Sequence, residues 1–88
     1  MEFRWERWNV QHIDEHGIDP GAAEYLVNHA RRTYPEDAGN DSYRVRGQGH
    51  NGRYIQVVYI FSPEDVVFVI HARPLNEREI RQYRRRQR

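Results

Sequence analysis

The chain has 88 residues, no cysteine, 38% hydrophobic and 31% charged residues, and a formal net charge of +1. That length allows one domain burying roughly 60% of the surface its unfolded chain would expose, and the missing thiols exclude disulfides and cysteine metal sites as braces. No signal-like or membrane-spanning apolar run is present, so the domain is expected to be soluble and cytoplasmic.

The opening Phe3-Arg4-Trp5 reads as a short strand. Asn9 to His16 predicts a helix stopped by Gly17, a residue suited to a left-handed cap. Asp19-Pro20 then starts a second helix, with Ala23, Leu26, Val27 and Ala30 on its apolar face and Arg31 and Arg32 near its end. The acidic, turn-rich segment 35–42 has no periodicity and reads as a loop free to move. Tyr43 to Gln48 predicts a strand, Asn51-Gly52 a two-residue hairpin, and Arg53 to Phe61 the returning strand. Pro63-Glu64-Asp65 turns the chain into the last strand, Val66 to Arg73. Pro74 disfavours helical geometry at Arg73, which places that arginine at the last extended position. Asn76 with Glu79 three residues on forms a capping box for a final helix, and Leu75 and Ile80 are spaced as a hydrophobic staple.

The predicted order is β-α-α-β-β-β-α, an α+β domain with an antiparallel sheet and helices packed on one face. A two-residue hairpin would oppose His50 to Arg53, Arg46 to Val57 and Arg44 to Tyr59. Arg44, Arg46, Arg53 and Tyr59 would then share one face. Tyr43, Val45, Tyr54, Val58 and Ile60, with Phe68 and Ile70, would form the core, and His71 and Arg73 would share the face of Val67 and Val69. A one-residue slip would invert these assignments.

Charge is unevenly placed. All 14 basic residues are arginine, and residues 73–88 hold seven of them against two glutamates, a local +5 that leaves −4 on residues 1–72. This asymmetry implies an anionic partner, nucleic acid or an acidic protein, with a solvated helix tail as the plainer explanation of Arg84-Arg85-Arg86. Arginine's planar fork suits phosphate.

His12-Ile13-Asp14-Glu15-His16 matches the H-x-x-E-H pattern of an inverted zinc-peptidase motif. Gly17 cuts that helix short, and Glu24, Glu77 and Glu79 offer no evident third ligand, so a packing or hydrogen-bonding pair of histidines is the favoured reading. No cofactor or metal site is expected. Ser42 and Ser62 lie in expected loops, and Gly47, Gly49 and Gly52 do not precede a helix as a phosphate loop does. Trp5 and Trp8 are expected in the core, since each buries a large apolar area. The other reading stacks them on RNA bases.

From Trp8-Asn9-Val10-Gln11-His12-Ile13-Asp14-Glu15-His16-Gly17-Ile18 through Asp19-Pro20, Glu24, Asn51-Gly52-Arg53 and His71-Ala72-Arg73-Pro74 to Glu79 and Tyr83, the chain resembles the BrnT toxins of bacterial type II toxin–antitoxin systems. The resemblance spans about Phe3 to Tyr83. It implies a small RelE-like fold, endoribonuclease activity and neutralisation by a ribbon-helix-helix antitoxin, in a toxin–antitoxin hetero-oligomer or as a homodimer. RNA is the implied substrate, the ribosome a candidate platform. The chain departs from the family where it lacks lysine and carries His12 near a family asparagine.

Cleavage without metal needs a base for the 2′-hydroxyl, cations for the phosphorane and an acid for the 5′-oxygen. Arg73 and Arg53 are the candidate transition-state ligands, with Arg46 helping to hold the strand. Proton transfer falls to His71, His16, Glu79 or Tyr83, and RNA binding to Arg44, Arg46, Arg81 and Arg84. The alternatives are a non-catalytic RNA- or protein-binding module and an inactive regulatory subunit of the same fold.

Overall fold

The computed structural model describes residues 1–88. Strand β1 (Phe3–Arg4) precedes helices α1 (Arg7–Asp14) and α2 (Pro20–Asn28). Strands β2 (Glu36–Gly39), β3 (Ser42–Gln48), β4 (Tyr54–Phe61) and β5 (Val67–Pro74) follow, and α3 (Glu77–Arg86) closes the chain. The sheet order is β1-β5-β4-β3-β2, with β1 parallel to β5 and every other pair antiparallel. The domain is α+β as expected. Its sheet is mixed, however, and has five strands where the sequence suggested four antiparallel ones.

The additional strand, β2, occupies the acidic segment read as a movable loop. Asn40 and Asp41 have φ of 51° and 59° between the paired residues Gly39 and Ser42. Two central residues with positive φ match the twist of the flanking strands, so this is the two-residue hairpin of the chain. Asp37 Oδ1 accepts from Gly39 N–H at 2.7 Å, and Ser42 Oγ donates to Gly39 O at 2.6 Å. Glu36 Oε1 accepts from Arg44 Nε at 2.8 Å, and Arg86 Nη2 lies 3.5 Å from Glu36 Oε2. Burial pulls the Glu36 carboxyl upward, but the two arginines outweigh it and leave it below its ordinary pKa. The segment is pinned at both ends of the pairing.

Asn51-Gly52 belongs to a longer loop. Asn51 Oδ1 accepts the Arg53 N–H at 3.1 Å, Gly52 N–H donates to Gly49 O at 3.0 Å, and Gly52 takes φ of 83°. This turn holds residues 49–53 out of the ladder, so Gln48 pairs Tyr54, Arg46 pairs Gln56 and Arg44 pairs Val58. Each predicted pairing is shifted by one residue. On β4 the core side therefore carries Ile55, Val57 and Tyr59 rather than Tyr54, Val58 and Ile60.

A second local event matters more for function. Val58 pairs His71 while Tyr59 pairs Val69, leaving Ile70 as the extra residue of a β-bulge. A bulge reverses the alternation beyond it. Val67 and Val69 lie in the core in place of the expected Phe68 and Ile70, whereas His71 and Arg73 pass to the opposite face instead of sharing theirs. Ala72 enters the core in their place, fully buried.

Helices α1 and α2 cover the apolar face with Ile13, Ala22, Ala23, Leu26 and Val27. Asp19 Oδ1 caps α2 by accepting the Ala22 N–H at 2.7 Å. This helix ends at Asn28, so Ala30, Arg31 and Arg32 follow it rather than complete it. Past α1, Gly17 N–H bonds Asp14 O at 2.9 Å and Ile18 N–H bonds Ile13 O at 3.2 Å. These are the paired bonds of a Schellman motif, with Gly17 left-handed at φ of 74°. The third helix reaches both faces of the sheet: none of its residues is buried, Tyr83 packs against the core cluster, and Glu79 meets arginines on the opposite face. No helix is long and apolar enough to cross a membrane.

Candidate functional site

The face opposite the core carries two adjacent cross-strand rows, Arg44–Val58–His71 and Arg46–Gln56–Arg73. Strand alternation places Arg44 and Arg46 there, and the bulge at Ile70 brings β5 into step with them. Gln56, 6% exposed, accepts through Oε1 from Arg46 Nε at 2.8 Å and Arg73 Nη2 at 3.4 Å. Glu79 closes the row from above. Its Oε2 accepts from Arg73 Nη2 at 2.7 Å and Arg46 Nη2 at 3.2 Å, and its Oε1 from Arg73 Nη1 at 2.8 Å.

The capping box of α3 fixes Glu79 for this task. Asn76 Oδ1 accepts the Glu79 N–H and the Asn76 N–H returns to Glu79 Oε1, both at 2.9 Å. The hydrogen bond from Arg73 holds the Glu79 carboxyl at about 2, helped by Asn76 and the Arg46 charge against the opposing effect of burial. A carboxylate this acidic has no proton to give at neutral pH. Among the expected proton-transfer groups it is the one that positions cations.

A guanidinium offers five N–H donors. Four of Arg73's are engaged by Glu79, Gln56 and Pro74 O, leaving one. Two of Arg46's are engaged, leaving three. Arg46, expected to help hold the strand and to bind RNA rather than to serve the transition state, has more free donors for a phosphate than Arg73.

Beside the rows lie three imidazoles. The His71 ring centroid is 5.5 Å from that of His16 and 6.0 Å from that of His12. His12 of α1 and His16, four residues on and just past its end, face the strand residue that the bulge turned toward them. Desolvation first, then the charges of His12, His16 and Arg73, push the His71 pKa below 6.5. His71 Nδ1 is buried without a hydrogen-bond partner, so no protein group fixes the tautomer through that atom. No group of three or more His, Cys, Asp or Glu side chains is arranged to hold a metal ion.

This depression has a stability consequence. Between the folded pKa and 6.5 the unfolded chain binds more protons at His71 than the folded one, so stability falls as pH drops below 6.5. The Glu79 contribution is lost only as pH falls from 4.5 through about 2. Thermal melts across this range are expected to show a decline starting near 6.5 that His71→Gln flattens. An unchanged slope in the variant would assign the decline to other groups.

The remaining expected residues are placed elsewhere. Arg53 Nη1 donates to Gly17 O at 2.8 Å, tying the β3–β4 loop to the end of α1 next to His16. Arg44 is paired with Glu36, and Arg81 is exposed on α3. Arg84 Nε donates to Tyr54 Oη at 3.1 Å. Tyr83 lies against β3 where glycine leaves room: a Cβ at Gly47 would stand 3.2 Å from its Oη and 3.0 Å from Leu26 Cδ1. Burial pushes the Tyr83 phenol above its ordinary pKa despite the Arg31 charge. It is a weaker acid than a free tyrosine and is not part of the arginine row.

Sequence reasoning missed Gln56, which alternation on the correct register would have found. It also expected both tryptophans in the core, which holds for Trp5, packed against the core cluster, and not for Trp8. Trp5 is half-buried and donates through Nε1 to Glu24 Oε2 at 2.6 Å, whereas Trp8 is 55% exposed, stacked between His12 and Phe68 at centroid distances of 5.3 and 6.1 Å.

Fold and site together define a small α+β domain with an arginine- and histidine-bearing sheet face. The chain belongs to the family described as a domain of unknown function, DUF4258, whose model matches residues 10–73. The matched segment holds the whole Arg46–Gln56–Arg73 row and the three histidines; α3 with Glu79 lies beyond it. No curated protein and no solved structure matches the chain.

Proposed function

We propose that this protein is a BrnT-like, RelE-type endoribonuclease toxin that cleaves single-stranded RNA without metal and is neutralised by a ribbon-helix-helix antitoxin. The observation that carries the reading is the Arg46–Gln56–Arg73 row, closed by Glu79, with His71 on the same sheet face and the His16 and His12 rings next to it. Two cations and several imidazoles side by side are what transfer of a phosphoryl group between ribose oxygens needs.

In this mechanism neutral His71 removes the 2′-hydroxyl proton. The 2′-oxygen attacks the adjacent phosphorus while Arg46 and Arg73 stabilise the charge that builds on the phosphoryl oxygens. The bond from phosphorus to the 5′-oxygen breaks, leaving a 2′,3′-cyclic phosphate, and a protonated His16 or His12 delivers the proton to the departing oxygen. A lowered pKa keeps His71 in its basic form at neutral pH.

The test is incubation of the purified protein with a long single-stranded RNA in excess EDTA. Cleavage that persists in EDTA and leaves cyclic phosphate ends is expected. RNA left intact by folded protein, with and without ribosomes, would transfer the reading to a binding module that grips an anionic partner on the same face.

A further inference from the structure

The largest cavity of the protein, ≈ 680 Å³, lies beside the arginine row rather than over it, between the end of α2, the β3–β4 loop and α3. Its lining contains Arg31, Arg46 and Arg84 and not one aspartate or glutamate, in a chain with 13 acidic residues. Neither Arg31 nor Arg84 has a carboxylate partner; Arg84 instead lies over the Tyr54 ring, 5.2 Å from its centroid. Uncompensated guanidinium donors in a concave site select an anion.

Aromatic rings form its walls. On the α2 side Tyr25 stacks on His29 at 4.1 Å and meets His50 of the loop edge-on at 5.8 Å, with Tyr25 38% exposed. On the α3 side Tyr54 meets Tyr83 at 6.0 Å. Gly47, Gly49 and Gly52 add no side chains to the floor between them. A positively charged groove walled by aromatic rings fits a polyanion that carries flat bases, and it fits a single strand rather than a duplex whose bases are already stacked. A folded acidic protein would use the arginines but leave the rings without a matching partner.

Arg46 belongs to both places, lining the cavity and bonding Gln56 and Glu79 in the row. We infer that the groove is the path of a single-stranded RNA segment, with a base stacked on the Tyr25–His29 pair and backbone phosphates on Arg31 and Arg84. The strand then reaches the row at Arg46. This rests on the ribonuclease reading for the identity of the strand, and on the groove's own chemistry for its location.

The probe is a fluorescently labelled single-stranded RNA with every 2′-hydroxyl methylated, which cannot be cut by 2′-oxygen attack, so binding is read by anisotropy independently of cleavage. Tyr25→Ala is expected to weaken binding about 5- to 150-fold, the range for losing one base-stacking platform. Tyr25→Phe keeps the ring and should keep the affinity. Arg31→Gln and Arg84→Gln should each reduce the slope of log K against log salt by about 0.7. Wild-type affinity in folded Tyr25→Ala and Arg31→Gln proteins would overturn the groove, as would failure of the wild-type protein to bind the probe. Tight, Tyr25-dependent binding alongside intact unmodified RNA would retain the groove and refute the ribonuclease reading, which separates the two.

Discussion

Arg73→Ala should slow RNA cleavage about 100- to 1,000-fold, or about 2.7–4 kcal/mol of transition-state stabilisation, while the far-UV spectrum stays that of the folded protein. The guanidinium touches Glu79, Gln56 and its own neighbour Pro74 on the open face, with no place in the apolar core, so its loss leaves no cavity. A competing role must be separated. Because Arg73 anchors Glu79, the same substitution could act only by loosening α3. Glu79→Gln distinguishes the two, since it removes the carboxylate that occupies four-bonded Arg73 and competes with phosphate for it. If Arg73 serves as a cation for the reacting phosphate, Glu79→Gln keeps or raises cleavage while Arg73→Ala abolishes most of it. Equal losses in both proteins, together with a lowered Tm, would make Arg73 a structural clamp.

Much of this site was legible in the sequence, and the parts that were not share a cause. Capping signals are local, so Asn76 with Glu79 and Asp19 with Pro20 were read correctly from their neighbours alone. Register is not local in that sense. Asn51-Gly52 carries the strongest two-residue hairpin signal in the chain, yet the Asn51 side chain serves the Arg53 N–H and the loop lengthens, while Asn40-Asp41 forms the tight turn. One residue of slip moved Gln56 from an unnoticed position to the centre of the arginine row.

The bulge at Ile70 was equally invisible. Val66 to Arg73 shows nothing but a β-rich run, with no glycine or proline inside it to mark an interruption. With Val67 and Val69 buried as they are, strict alternation would have carried His71 and Arg73 into the core beside them. Pairing with β4 decides otherwise, because the switch buries Ala72 and releases two cationic or titratable side chains from an apolar interior where their desolvation would be costly. The histidines of α1 could be named from their spacing, but their neighbour on β5 could not.

Ile13→Ala should destabilise the domain by about 2–5 kcal/mol, measured as a shift of the urea midpoint at constant m. Ile13 is wholly buried among the core residues. A domain of 88 residues has about 4–13 kcal/mol in total, so this one change removes a large share. The effect should concentrate on α1. Eight residues are too few to hold a helix without packing, and Ile13 and Asn9 are the only side chains of α1 that are buried. His12 precedes Ile13 on that helix and His16 follows just past its end, so loss of its anchor should also misplace the imidazoles beside His71. Hydrogen exchange is then expected to quicken first across residues 7–18, and cleavage to fall before the sheet unfolds; Ile13→Val, which removes one methylene, should cost only about 0.5–1.5 kcal/mol and keep cleavage close to wild type. A loss below about 1 kcal/mol in Ile13→Ala would mean that α1 is not docked through this side chain, and that the three-histidine arrangement has another support.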